Sequence, residues 1–108
     1  SWTDGTGLGV ESFIFRRDIS KNQILLSGVI RNTTYTGVIE IVFTLPLGYR
    51  PAKDTVFVIQ GEFGSVSGKS FEIFIQSATG YFTINGITAA VPPDICLIGF
   101  DGYSFFTD

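Results

Sequence analysis

No stretch of this chain keeps apolar residues at helical spacing for ten residues. It keeps alternation instead, interrupted at intervals of about ten residues by Gly, Asn, Asp or Pro. Alternation sends successive side chains to opposite faces of a strand. Turn residues that recur so closely join neighbouring strands in antiparallel fashion. The pattern predicts an all-β domain: an antiparallel, jelly-roll-like β-barrel or sandwich of about seven short strands.

Taken in order, residues 1–10 are small, polar and Gly-rich, with Trp2 among them. They read as a connecting arm, and 11–108 as one β-barrel domain. An indole in such an arm is expected to tuck against the domain or a neighbouring chain. Ser12 to Arg17 alternates, with Phe13 and Phe15 on one side and Ile14 and Arg16 on the other. Asp18 to Asn22 is turn chemistry. Gln23 to Arg31 reads as one longer strand that places Ile24, Leu26, Gly28 and Ile30 on one face. Asn32 to Gly37 reads as a loop carrying the glycosylation-type triplet Asn32-Thr33-Thr34. Val38 to Thr44 is expected to point Ile39, Ile41 and Phe43 inward.

The segment Phe43-Thr44-Leu45-Pro46-Leu47-Gly48-Tyr49-Arg50-Pro51 ends that strand. A proline cannot donate to a sheet ladder and pushes its predecessor toward extended backbone. The segment therefore turns a corner at Gly48 and launches the next strand, Thr55 to Gln60, which is apolar on both faces. Gly61 to Gly68 reads as a loop, Ser70 to Gln76 alternates again, and Ala78-Thr79-Gly80 turns. Asn85-Gly86 between Tyr81–Ile84 and Ile87–Ala89 is a hairpin signal, and Asp101-Gly102 a second one, both of type I′ chemistry. Pro92-Pro93 separates them, and Ile95 to Phe100 is a nearly continuous apolar strand.

Composition excludes several activities. The chain has no His, so the usual general base and the commonest metal ligand are missing. Its single cysteine, Cys96, can form neither an internal disulfide nor a common zinc site, and in Ile95-Cys96-Leu97-Ile98 it reads as a small buried hydrophobe. Neither a cofactor nor a metal is expected. Net charge is −3, and no Lys/Arg cluster offsets it, which argues against nucleic acid. No run approaches the roughly 18 apolar residues of a membrane helix. The 108 residues contain no Met, so the chain is expected to be a processed product or a domain of something longer. With 44% hydrophobic residues, Thr55–Gln60, Ile95–Phe100 and Phe74 offer more apolar surface than one core needs. The surplus predicts a homo-oligomer.

Binding on a β scaffold belongs to loops and strand ends. Polar and aromatic turn residues gather in the last third: Tyr81, Asn85, Asp94, Asp101 and Tyr103. Such a set suits a saccharide, since aromatic faces cover the apolar side of a pyranose while carboxylate and amide oxygens accept from its hydroxyls. Turn geometry alone also accounts for Asn85 and Asp101. Arg16, Arg17, Arg31 and Arg50 could meet a ligand phosphate, although Arg50 is better placed to brace its own corner. A carboxylate-based glycan hydrolase is the enzymatic alternative, but the ten acids are scattered.

Leu45-Pro46-Leu47-Gly48-Tyr49-Arg50-Pro51, and the ending Asp101-Gly102-Tyr103-Ser104-Phe105-Phe106, resemble motifs in C-terminal domains of phage tail fibres. The nearest likeness is to the head domains of receptor-binding proteins from lactococcal siphophages. The resemblance spans roughly residues 38 to 108 and implies a homotrimeric β-barrel head at the tail tip, or baseplate, of a virion. Such a head binds a host cell-wall saccharide or phosphopolysaccharide noncovalently, mediates adsorption, and joins the rest of the baseplate through its N-terminal side. Pockets in that family use Trp, His, Asp and Arg; with no His here, their residues do not transfer. A trimeric fibre cap with no receptor of its own is the structural alternative.

Overall fold

The computed structural model describes residues 2–4, 13–86 and 92–107. It is all-β and antiparallel. The strands are β1 (Thr3–Asp4), β2 (Ile14–Asp18), β3 (Gln23–Ser27), β4 (Val29–Tyr35), β5 (Glu40–Thr44), β6 (Thr55–Phe63), β7 (Val66–Ile75), β8 (Tyr81–Asn85), β9 (Asp94–Gly99) and β10 (Ser104–Phe106). A seven-stranded curled sheet has the order β1-β4-β9-β6-β7-β8-β5, and a three-stranded sheet the order β10-β3-β2. The core lies between them. Ile24 and Leu26 of the small sheet and Ile59, Phe71, Ile73, Phe82 and Ile98 of the large one are buried. Aromatic contacts link the layers: Phe15 of β2 stacks on Phe43 of β5 at 5.9 Å, and Phe13 meets Phe100 edge-on at 5.2 Å.

Gly28, at φ 84, bends the chain from β3 into β4 and so from one sheet into the other. The expected single strand Gln23–Arg31 is therefore two, although its buried face of Ile24, Leu26 and Ile30 is as expected. The expected loop at Asn32–Gly37 is mostly strand, since β4 runs to Tyr35. Asn32 is buried, and its Oδ1 accepts from the Thr34 N–H and hydroxyl, so the triplet presents no accessible amide. The expected Gly61–Gly68 loop is also mostly ladder: β6 extends to Phe63 and β7 begins at Val66. At Gly61 the backbone passes close against β9, and a Cβ there would lie 2.5 Å from the Leu97 carbonyl oxygen. Glycine permits the crossing; it does not make a loop.

Neither NG nor DG forms a type I′ hairpin. That turn needs positive φ at both central residues, and among the described residues Asn22 is the only non-glycine with positive φ. Asn85 is the last residue of β8, while Ile87–Ala89 lies outside the described residues. The Phe100–Tyr103 turn closes with a Tyr103 N–H to Phe100 carbonyl bond of 3.1 Å, with φ 89 at Gly102. This is a type II arrangement. It carries the chain between sheets, because β9 pairs with β4 and β6 while β10 pairs with β3.

A register shift between Ile41 and Phe43 explains another difference. Ile39 and Ile41, expected inward, are 69% and 53% exposed. The bulge turns Val42 and Phe43 onto the core instead. Trp2 is docked, as expected for an indole near the domain: its ring lies 5.1 Å from that of Tyr35, while Thr3 and Asp4 pair with Arg31 and Ile30.

Candidate binding cavities

Among the described residues, two shallow cavities on the outer faces of the sheets bring polar side chains together. The larger, about 300 Å³, is on the small sheet. Antiparallel register sets Arg16 of β2, Leu25 of β3 and Ser104 of β10 side by side. Alternation then turns Arg16 and Ser104 to the same outer face, because Phe15 and Phe105 point into the core. Ser27 extends this row, and the Asp101-Gly102-Tyr103 turn forms one wall.

Each wall residue is held by the fold. Asp101 Oδ1 accepts from the Gly28 N–H at 2.8 Å, which fixes the carboxylate at the bend between sheets. The Tyr103 ring stacks on Phe57 at 5.0 Å, and its carbonyl accepts from the Leu26 N–H at 2.9 Å. Ser104 Oγ accepts from Gln23 Nε2 at 2.9 Å, leaving its own proton to donate. Arg16 is exposed at the rim. The cavity thus presents a guanidinium, a carboxylate and two serine hydroxyls over Leu25, while the Tyr103 ring turns to the core side against Phe57. These groups bind a polyhydroxylated or anionic ligand by charge-assisted and neutral hydrogen bonds. Among the described residues Asp101 is the only carboxylate lining it, whereas hydrolysis by the common glycosidase route needs two.

The second cavity, about 210 Å³, opens on the outer face of the large sheet and is lined by Ile39, Glu72, Phe74, Gln76, Thr83 and Asn85.

The residues expected to form one saccharide site are therefore divided. Asp101 and Tyr103 share the larger cavity. Asn85 lines the smaller, and Tyr81 stands four residues away on the same face of β8. Asp94 lines neither: its Oδ1 accepts from the Ile95 N–H at 2.8 Å, and its Oδ2 packs against Gly64 at the β6–β7 hairpin. Arg16 figured in the sequence only as one of several possible phosphate contacts. Ser27 and Ser104 were not legible, because only the β2-β3-β10 register brings them to Arg16.

Other assignments fit the sequence reading. Arg50 does brace its corner: Nε donates to the Leu45 carbonyl at 3.0 Å and Nη1 to the Ala78 carbonyl at 3.1 Å. Arg17 holds the same corner from the other sheet, donating to the Gly48 carbonyl at 2.9 Å. Cys96 is buried, and burial, reinforced by the Glu40 charge, pushes its thiol up to about 12. That is the behaviour of a packing residue, not a nucleophile. Among the described residues no three of His, Cys, Asp or Glu come together, and no helix is long and apolar enough to cross a membrane.

Comparison of the chain with protein-family models, with curated proteins and with solved structures yields no match.

Proposed function

We propose that this domain is a noncovalent recognition module for a bacterial cell-surface saccharide, with phosphate-bearing polysaccharide the preferred class. In this reading it is the head of a phage tail receptor-binding protein, assembled as a homotrimer and mediating adsorption to the host. The observation that carries it is the convergence of Arg16, Ser27, Asp101, Tyr103 and Ser104 on one cavity of about 300 Å³. Hydroxyl and carboxylate groups pair with sugar hydroxyls, Leu25 offers an apolar floor, and the Arg16 guanidinium suits a phosphodiester. The likeness of the Leu45–Pro51 and Asp101–Phe106 motifs to phage tail heads supports the same reading. A weak single site is sufficient, since several copies on one particle multiply their hold.

The test is a fluorescence titration of the domain with purified cell-surface polysaccharides, with and without their phosphate. A saturable change that weakens at least tenfold in Arg16→Ala and Ser104→Ala supports the assignment. Equal binding by both variants places recognition elsewhere. Silence with every glycan moves the weight to a structural cap, which the exposed Val56, Val58 and Ile41 favour independently.

A further inference from the structure

The outer face of the large sheet is apolar where an isolated domain would be wet. Register sets Ile41, Thr83, Phe74 and Val56 in one row across β5, β8, β7 and β6. The next row carries Asn85, Glu72 and Val58. Val56, Val58 and Ile41 are each more than half exposed, Ile39 is 69% exposed beside them, and Tyr81 is 39% exposed at the end of β8.

We infer that this face is the surface on which a second copy of the chain docks. The inference goes beyond the threefold assembly proposed above, since like rows packed on like rows make a two-fold contact, and it stands apart from saccharide binding, whose cavity lies on the other sheet.

The argument rests first on area. The five exposed side chains leave on the order of 500 Å² of mostly apolar surface in water, near the top of the ~300–600 Å² found for the largest patch on a typical monomer. The interleaved Gln60, Glu72, Phe74, Gln76, Thr83 and Asn85 are exposed or half-buried and extend this area toward the roughly 800 Å² that each partner contributes to a standard stable interface.

Charge then selects the occupant. Within these rows Glu72 is the one charged side chain, which matches the depletion of charge at interface centres. A membrane surface would call for Lys or Arg on this face, and none stands in these rows. A basic partner would find only one carboxylate. A second copy brings the same apolar rows, together with the carboxamide N–H donors of Gln76 that can satisfy Glu72. β-Branched and aromatic side chains on a twisted sheet are also the surface that packs face to face in a sandwich.

The experiment is sedimentation equilibrium of the full chain across the micromolar range, on the parent, Val58→Glu, Val56→Lys and a control, Leu47→Glu. Val56 and Val58 are exposed on the folded chain, so their replacement leaves the core untouched. Leu47, 80% exposed on the corner, tests for a general effect of adding charge to an apolar surface. The expected result is an oligomer for the parent and Leu47→Glu, and at least tenfold weaker association in both valine variants. A monomeric parent overturns the inference, as does an oligomer whose mass neither valine variant changes. Circular dichroism confirms folding, and a variant that does not fold leaves the other to decide. Saccharide titration of the folded monomeric variant separates the two proposals: binding kept while mass falls supports both, and binding absent in parent and variant alike removes only the saccharide reading.

Discussion

Arg50 closes the corner over Leu45. Its Nε donates to the Leu45 carbonyl at 3.0 Å while Nη1 reaches the Ala78 carbonyl at 3.1 Å, and the Leu45 N–H donates to the Gly80 carbonyl at 2.8 Å. One guanidinium thus joins the end of β5 to the turn between β7 and β8. Leu45 itself is fully buried, so its carbonyl has little access to water. Thr107 Oγ1 donates to the Arg50 carbonyl at 2.6 Å, which adds the C-terminal strand to the same junction.

Replacing Arg50 by Ala removes both donors. A hydrogen bond to a charged group contributes roughly 1.5–3 kcal/mol, and the Ala78 contact is exposed and counts for less. Arg50→Ala should cost about 1–3 kcal/mol in urea unfolding. Arg50→Lys should recover only part, because an ammonium lacks the fork that spans two carbonyls. A midpoint unchanged in Arg50→Ala would show that the corner is held by packing alone.

Gly61 and Gly68 separate close approach from backbone strain. A Cβ at Gly61 would meet the Leu97 carbonyl at 2.5 Å and Ile98 Cγ1 at 3.0 Å, both on the neighbouring strand. Gly68 has φ +72 but nothing within 4 Å. Gly61→Ala should therefore cost about 1–3 kcal/mol through overpacking. Gly68→Ala should lose only about 1 kcal/mol, from its left-handed backbone. Thermal melts of the two variants give the order, and a reversed order contradicts the close crossing of β6 and β9.

Local rules made much of this fold legible. The alternation of Phe13 and Phe15 against Ile14 and Arg16, the buried face of Ile24, Leu26 and Ile30, and the Pro-flanked corner all follow from side-chain period and proline chemistry. What the sequence hid are relations between distant segments. Asp101-Gly102 carries a hairpin signature, yet its flanking strands join different sheets. Gly61 looks like loop punctuation but marks a strand crossing. The bulge between Ile41 and Phe43 turns Ile39 and Ile41 outward, and nothing in that run announces the extra residue. The binding residues divide for the same reason. Asp101 and Tyr103 lie in one turn and stay together, whereas Ser104 and Ser27 meet Arg16 only through strand register.

Stability should fall at high pH. Burial, with a smaller contribution from Glu40, pushes the Cys96 thiol from 9.0 up to about 12, and burial likewise raises the Tyr35 phenol. Both are acids whose neutral form the fold favours, so above pH 9 the unfolded chain gives up its thiol proton first. The unfolded state then binds fewer protons than the native state, and unfolding free energy declines as pH rises. The contribution of Cys96 is complete below pH 9 and is lost as pH approaches 12. Urea midpoints at intervals through this window should fall for the parent and fall less steeply for Cys96→Val. Identical slopes would mean that other groups govern the alkaline limit.

Asp101 has a structural task and a proposed ligand task, and two substitutions separate them. Its Oδ1 accepts from the Gly28 N–H at 2.8 Å, where the chain bends between sheets. Asp101→Ala leaves that donor without its partner and should destabilise by about 1–3 kcal/mol. Asp101→Asn keeps an acceptor oxygen in the same place, so it should stay within about 1 kcal/mol of the parent while losing the negative charge. Any change in saccharide affinity in the folded Asp101→Asn protein then reports on the ligand alone. A neutral sugar that uses the carboxylate as acceptor should bind more weakly. A phosphate-bearing glycan, drawn by Arg16 and repelled by Asp101, should bind more tightly and lose less affinity with added salt. Unchanged affinity for both would confine Asp101 to the bend and leave recognition to Arg16 and the serines.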